Sequence, residues 1–131
     1  MKKMLFASAL AITTTVVTFA FAEVTPKFDI EGSWIADPSL PLQCTRDGVN
    51  VQCVLVNSGF SHSLVGAYIA PDLVVLDVTR RNRVDNCVTH LTTLFRLLSK
   101  DTGQSNWVAL DSNCDLDAGQ SGVDPIFRRV F

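Results

Sequence analysis

Apolar and polar residues alternate along much of this chain with a period of two, the repeat of a half-buried β-strand. Residues 28–36 place Phe28, Ile30, Trp34 and Ala36 on one face, with Asp29, Glu31 and Ser33 on the other. Val49, Val51, Cys53 and Leu55 line one face of a second segment, and Asn50 and Gln52 point away. Residues 63–70 read as a third strand. Residues 73–79 follow, with Val74, Leu76 and Val78 opposed to Asp77 and Thr79. Turn chemistry separates these segments: Pro38-Ser39-Leu40-Pro41, Asn57-Ser58-Gly59 and Pro71-Asp72. Arg80-Arg81-Asn82-Arg83 is expected to interrupt the pattern next.

Residues 84–98 admit two readings. Val84, Val88, Leu91, Phe95 and Leu98 fit helical spacing. The same stretch carries Val88-Thr89 and Thr92-Thr93, which are β-branched and poor in helices. As a strand it would put Leu91, Phe95 and Leu97 on one face. Lys100-Asp101-Thr102-Gly103 then has the chemistry of a hairpin loop, and beyond it Trp107, Ala109 and Asp111 alternate with Val108 and Leu110. The strand reading is preferred. Residues 111–124 are polar and acidic, and residues 125–131 supply a last short strand. The expected fold is all-β: a small antiparallel barrel or sandwich of six to eight strands. The connections are too short for crossovers, which makes the pairing antiparallel.

The four cysteines are Cys44, Cys53, Cys87 and Cys114. Residues 42–57 look like a hairpin around Asp47-Gly48-Val49-Asn50. A loop centred between Gly48 and Val49 sets Arg46 opposite Val51 and Cys44 opposite Cys53, close enough to bridge. A tight type I′ turn at Asp47-Gly48 would shift that register by one and leave a diagonal bridge at best. The first register is favoured, giving Cys44–Cys53 and, by remainder, Cys87–Cys114. Zinc clusters use closer cysteine pairs than these, and only His62 and His90 could add nitrogen ligands. No metal is expected.

The cysteines agree with the start of the chain. Lys2 and Lys3 precede an apolar, uncharged run over residues 4–20, and Ala20-Phe21-Ala22 is a small-x-small cleavage signature. Residues 1–22 read as a cleavable signal peptide and 23–131 as one secreted β domain, located outside the cell or in the periplasm, with no membrane span after cleavage. Without Lys2 and Lys3, nine basic residues face thirteen acidic ones, a net charge of −4. That balance argues against nucleic acid as a partner.

Gly32-Ser33-Trp34 resembles the G-x-W signature of lipocalins and avidins. Leu64-Val65-Gly66-Ala67-Tyr68-Ile69 resembles the Gly-x-Tyr strand found early in avidin-like barrels, and Trp107 sits where such barrels carry a late tryptophan. The resemblance to these calycin barrels implies an up-and-down barrel that closes on itself and holds a small apolar or vitamin-like ligand at its open end. It carries no ligand residues over.

Other candidate chemistry is sparse. His62 lies in Ser61-His62-Ser63 and His90 in Thr89-His90-Leu91, neither in a nucleophile motif. Glutamate occurs only at Glu23 and Glu31, and the aspartates fall mostly in turns, which disfavours a glycosidase carboxylate pair. Residues 111–117 carry oxygen side chains at alternating positions as a calcium loop does, but Leu116 and Gly122 stand where glycine and glutamate belong. Arg80, Arg81 and Arg83 form a positive cluster suited to anions. Trp34, Tyr68 and Trp107 are the aromatic binding candidates, with core packing as the competing role for the tryptophans. The expectation is a non-enzymatic exported domain, without cofactor, that recognises a protein or glycan partner through loops and one sheet face. Two alternatives stay open: a calycin-like barrel carrying a small ligand, and a secreted inhibitor of another enzyme. A hydrolase using His62 or His90 is the weakest reading.

Overall fold

The structure, a computed structural model, describes residues 24–38 and 40–131. The expected signal peptide, residues 1–22, lies outside the described residues. Among the described residues nine strands form: β1 (Gly32–Ile35), β2 (Pro41–Asp47), β3 (Asn50–Val56), β4 (Phe60–Ala70), β5 (Leu73–Asn82), β6 (Val88–Ser99), β7 (Thr102–Ser112), β8 (Ser121–Val123) and β9 (Phe127–Arg129). Strands β1 to β7 pair antiparallel in sequence order, and β9 bridges β7 back to β1. Of the architectures expected, the chain adopts the closed barrel, with eight strands in the ring. β8 is a ninth strand that pairs only with β7.

The middle strands are longer than expected. Arg80 and Arg81 do not interrupt β5 but lie inside it, opposite His62 and Ser61 on β4 and Thr89 and Val88 on β6. Pairing on both sides satisfies the backbone, so alternation continues through the arginines: Val78 and Arg80 face in, Thr79 and Arg81 face out. The segment that also admitted a helix is strand from Val88 onward, in agreement with the preferred reading. Leu91, Phe95 and Leu97 are all buried on one face, as strand phase requires.

The β2–β3 hairpin has the favoured register. Arg46 opposes Val51 and Cys44 opposes Cys53, with Cα atoms of the cysteines 4.1 Å apart. Gly48 takes φ 63° in the loop, a left-handed conformation that costs glycine least. Both predicted disulfides form, Cys44–Cys53 on the inner wall and Cys87–Cys114 across the β5–β6 loop and the segment after β7. Such bridges belong to proteins that mature in an oxidising compartment.

One end of the barrel is packed solid. Residues 28–36 do not make one continuous strand as expected. Gly32 has φ 131°, which bends the chain so that β1 begins only there, and Trp34 Nε1 donates back to the Ile30 carbonyl at 2.8 Å. Ile30, Trp34, Tyr68, Val74 and Leu97 fill this end, each 3% exposed or less. The Tyr68 hydroxyl donates to the Phe28 carbonyl at 2.6 Å and accepts from the Ile30 N–H at 2.9 Å, so the buried polar atom is satisfied twice.

The ring itself closes over a narrow seam. β9 shares two residue pairs with β1 and two with β7. Arg129 compensates for this shortness. Its guanidinium donates to the carbonyls of Glu31 at 2.7 Å, Asp29 at 2.6 Å and Lys100 at 2.8 Å, lies 3.3 Å from Asp101, and covers the Trp34 ring at 4.3 Å. Arg129→Met should therefore destabilise the protein by about 2–4 kcal/mol, because three backbone acceptors lose a charged donor. Arg128→Ala, its exposed neighbour, should stay within about 0.5 kcal/mol. Urea unfolding followed by circular dichroism measures both.

Candidate functional site

The other end of the barrel is hollow. A cavity of about 990 Å³ opens between the β1–β2 loop, the β3–β4 loop and the segment that follows β7. Its depth is apolar, walled by Leu42, Leu55, Leu64, Leu76, Leu91 and Phe95. These are the inward positions of their strands, and Trp34 and Tyr68 seal the opposite end. Burying apolar side chains around a space this large forgoes the contact that a close-packed interior would supply.

Polar groups gather near the mouth on two walls. On the β4–β5 wall, His62 and Arg80 are directly opposed residues of adjacent strands. Arg80 lays its guanidinium 3.7 Å from the centroid of the Phe60 ring. Burial lowers the pKa of Arg80 from its usual value, and the charge of Asp115 acts the other way. His62 is held down to about 4, first by burial and then by the positive charge of Arg80, with the Leu55 backbone carbonyl opposing. Its Nδ1 is buried with no hydrogen-bond partner among the described residues. At neutral pH the ring is uncharged.

The far wall carries Asp124. Burial raises its carboxyl pKa, hydrogen bonds from Ser105 and Trp107 lower it, and the charge of Asp37 raises it again. Trp107 faces the cavity from β7, and its ring lies flat against Gly122 of β8, where a Cβ would come within 2.5 Å of it. Gly122 is thus the residue that lets the indole sit down against the wall.

The structure separates the residues singled out in the sequence. Arg80 and Trp107 border the cavity. Trp34 and Tyr68 lie in the packed end. Arg81 faces outward on β5, and Arg83 donates to the Asn57 carbonyl at 2.7 Å, tying the β5–β6 loop to the β3–β4 loop. The three arginines therefore do not form one patch. His90 points outward and its Nδ1 lies 2.7 Å from Asp111, on the opposite face of the wall from His62. Phe60 and Asp124 were missed in the sequence, and His62 was weighed only as a catalytic group or a metal ligand. Strand parity was the signal for two of them, because Phe60 and His62 share the phase of Leu64 and Tyr68 on β4. Among the described residues, no cluster of three or more His, Cys, Asp or Glu is placed to hold a metal ion. None of their helices is long and apolar enough to cross a membrane.

Comparison with known proteins finds no match, whether to a protein-family model, to a curated protein or to a solved structure.

The neutral state of His62 has a measurable consequence. Unfolded, the imidazole titrates near 6.5; folded, it titrates at about 4. Between those values the unfolded chain binds the extra proton, so stability falls as pH drops through this window and is fully present above it. The loss is at most about 3 kcal/mol. Asp124 works in the opposite sense on acidification and Asp29, whose pKa is lowered mainly by its bond to Arg46, in the same sense as His62. The difference between the wild type and His62→Gln cancels both carboxylates. Urea midpoints at pH 7 and pH 4.5 should converge in the variant relative to the wild type.

Proposed function

We propose that this protein is an exported carrier that holds a small, largely apolar molecule inside its barrel. The observation that carries this reading is the cavity of about 990 Å³, bounded by inward leucines and aromatics at one end and sealed at the other. Ligand pockets run from roughly 300 to 1,000 Å³ and are mostly apolar with a few placed polar groups, which matches this space and its mouth. Two disulfides support the reading in a second way. Cys44–Cys53 stiffens the wall, and Cys87–Cys114 anchors the segment that brings Leu116 and Gln120 to the mouth. A wall that does not collapse is what keeps a void available.

Of the functions expected from the sequence, this is the calycin-like alternative. A protein or glycan partner held by loops and a sheet face makes no use of the hollow interior. Secretion fits both the N-terminal segment and the paired cysteines.

The neutral dye N-phenyl-1-naphthylamine should bind the wild type at one site per chain with micromolar affinity and enhanced fluorescence. Leu64→Trp fills the space from the β4 wall and should abolish the enhancement while the circular dichroism spectrum keeps its strand signature. A wild type that shows no saturable dye site, or a filled variant that binds the dye equally well, would overturn the reading.

A further inference from the structure

We infer that the cavity selects ligands bearing one anionic head group, a carboxylate held by Arg80 at the mouth, with the apolar part directed toward Phe95 and Leu76. The inference rests on the carrier reading and adds the chemistry of the ligand's polar end.

The first support is that Arg80 has no salt-bridge partner among the described residues. Its side chain enters the lumen from β5 and is half-buried against the Phe60 ring, yet no carboxylate of the described residues forms a salt bridge to it. Three paired arginines show the contrast. Arg46 meets Asp29 at 2.8 Å, Arg96 meets Asp72 at 3.1 Å, and Arg129 meets Asp101 at 3.3 Å. The carboxylate whose charge Arg80 feels is Asp115, at the rim beside Cys114. Taking a guanidinium partly out of water without a partner costs free energy, and a fold does not need that cost for closure. The ring of Phe60 holds the planar group in one orientation and leaves its N–H edge to engage a ligand.

The second support is the charge balance of the mouth. His62, facing Arg80 across the strand pair, is neutral at pH 7, so this wall carries a single positive charge. Asp124 lies on the far wall within reach of the charge of Asp37, and neither carboxylate contributes to the electrostatics of Arg80. The mouth is therefore polarised across its width. A singly charged planar carboxylate matches a guanidinium fork in charge and in geometry. A cationic head at Arg80 would be repelled, and a neutral one would leave the charge uncompensated.

The test compares ligands of one chain length that differ only in the head: decanoate and 1-decanol, displacing N-phenyl-1-naphthylamine at pH 7.5. Wild type should bind decanoate about tenfold or more tightly than decanol. Arg80→Gln should lose that preference while its decanol affinity stays within about twofold, and Arg80→Lys should keep part of the preference because the charge remains without the fork. Equal binding of decanoate and decanol by the wild type would overturn the inference and leave the carrier reading standing, and that comparison needs no variant to fold. A preference retained by a folded Arg80→Gln would also overturn it. Failure of both probes and of the dye to bind would bring down the carrier reading itself.

Discussion

A sheet becomes a ring only when its first strand meets its last, and here those strands are four and three residues long. So short a ladder contributes few hydrogen bonds, and a barrel depends on closure to remove its sheet edges. Arg129 supplies what the ladder lacks. It collects carbonyls from Asp29, Glu31 and Lys100, which belong to the entry of β1 and the β6–β7 loop, and covers the indole beneath them. Carbonyl oxygens that a longer strand would satisfy with N–H groups are satisfied by one charged fork. Gly32 takes part in the same arrangement, because a Cβ there would come within 2.7 Å of the Arg129 Nη1. Gly32, Trp34 and Arg129 thus form one unit.

With closure assigned to one end, the two ends of the barrel differ in kind. Near Arg129 the lumen holds Trp34, Ile30, Tyr68 and Leu97 with almost no exposure, and the Tyr68 hydroxyl is paired twice. Toward the other end the inward positions carry Leu42, Leu55, Leu64 and Leu91, which line the cavity. The loops there are tied to each other: Arg83 reaches the β3–β4 loop, and Cys87–Cys114 holds the segment after β7 against the β5–β6 loop. The packed end supplies stability and the crosslinked rim supplies shape, so the space between them need not be filled by the protein itself.

The strands of this fold were legible because period-two alternation survives wherever one face is buried. The hairpin register around Gly48 was legible for a related reason, since Cys44 and Cys53 had to share a face. The break at Gly32 was not, because it comes from a backbone dihedral and a tertiary contact with a residue 97 positions later in the chain. β8 escaped notice since its three residues, Ser121, Gly122 and Val123, carry almost no pattern and are strand only through pairing with Trp107 and its neighbours. At the mouth, composition misled. Three arginines in four residues looked like one patch, whereas alternation sends Arg80 inward, Arg81 outward and Arg83 into a turn. Applying the same parity to Phe60 and His62 would have placed both inside. That Asp124 faces the lumen depends on the path of a loop with no periodicity to read.

The carbonyls that Arg129 draws together include one exactly a hundred residues away, at Asp29. Contacts of that sequence separation are slow to form, because the intervening chain must already be ordered. Strands β2 to β7 can zip as successive hairpins, each beside its predecessor, and only afterwards can the two ends of the sheet find one another. During that interval the molecule is a curled ribbon with two unpaired borders, the state in which such a protein is most open to self-association. Annealing of the hoop, more than the making of any hairpin, is thus the step that sets how long a newly made chain stays vulnerable.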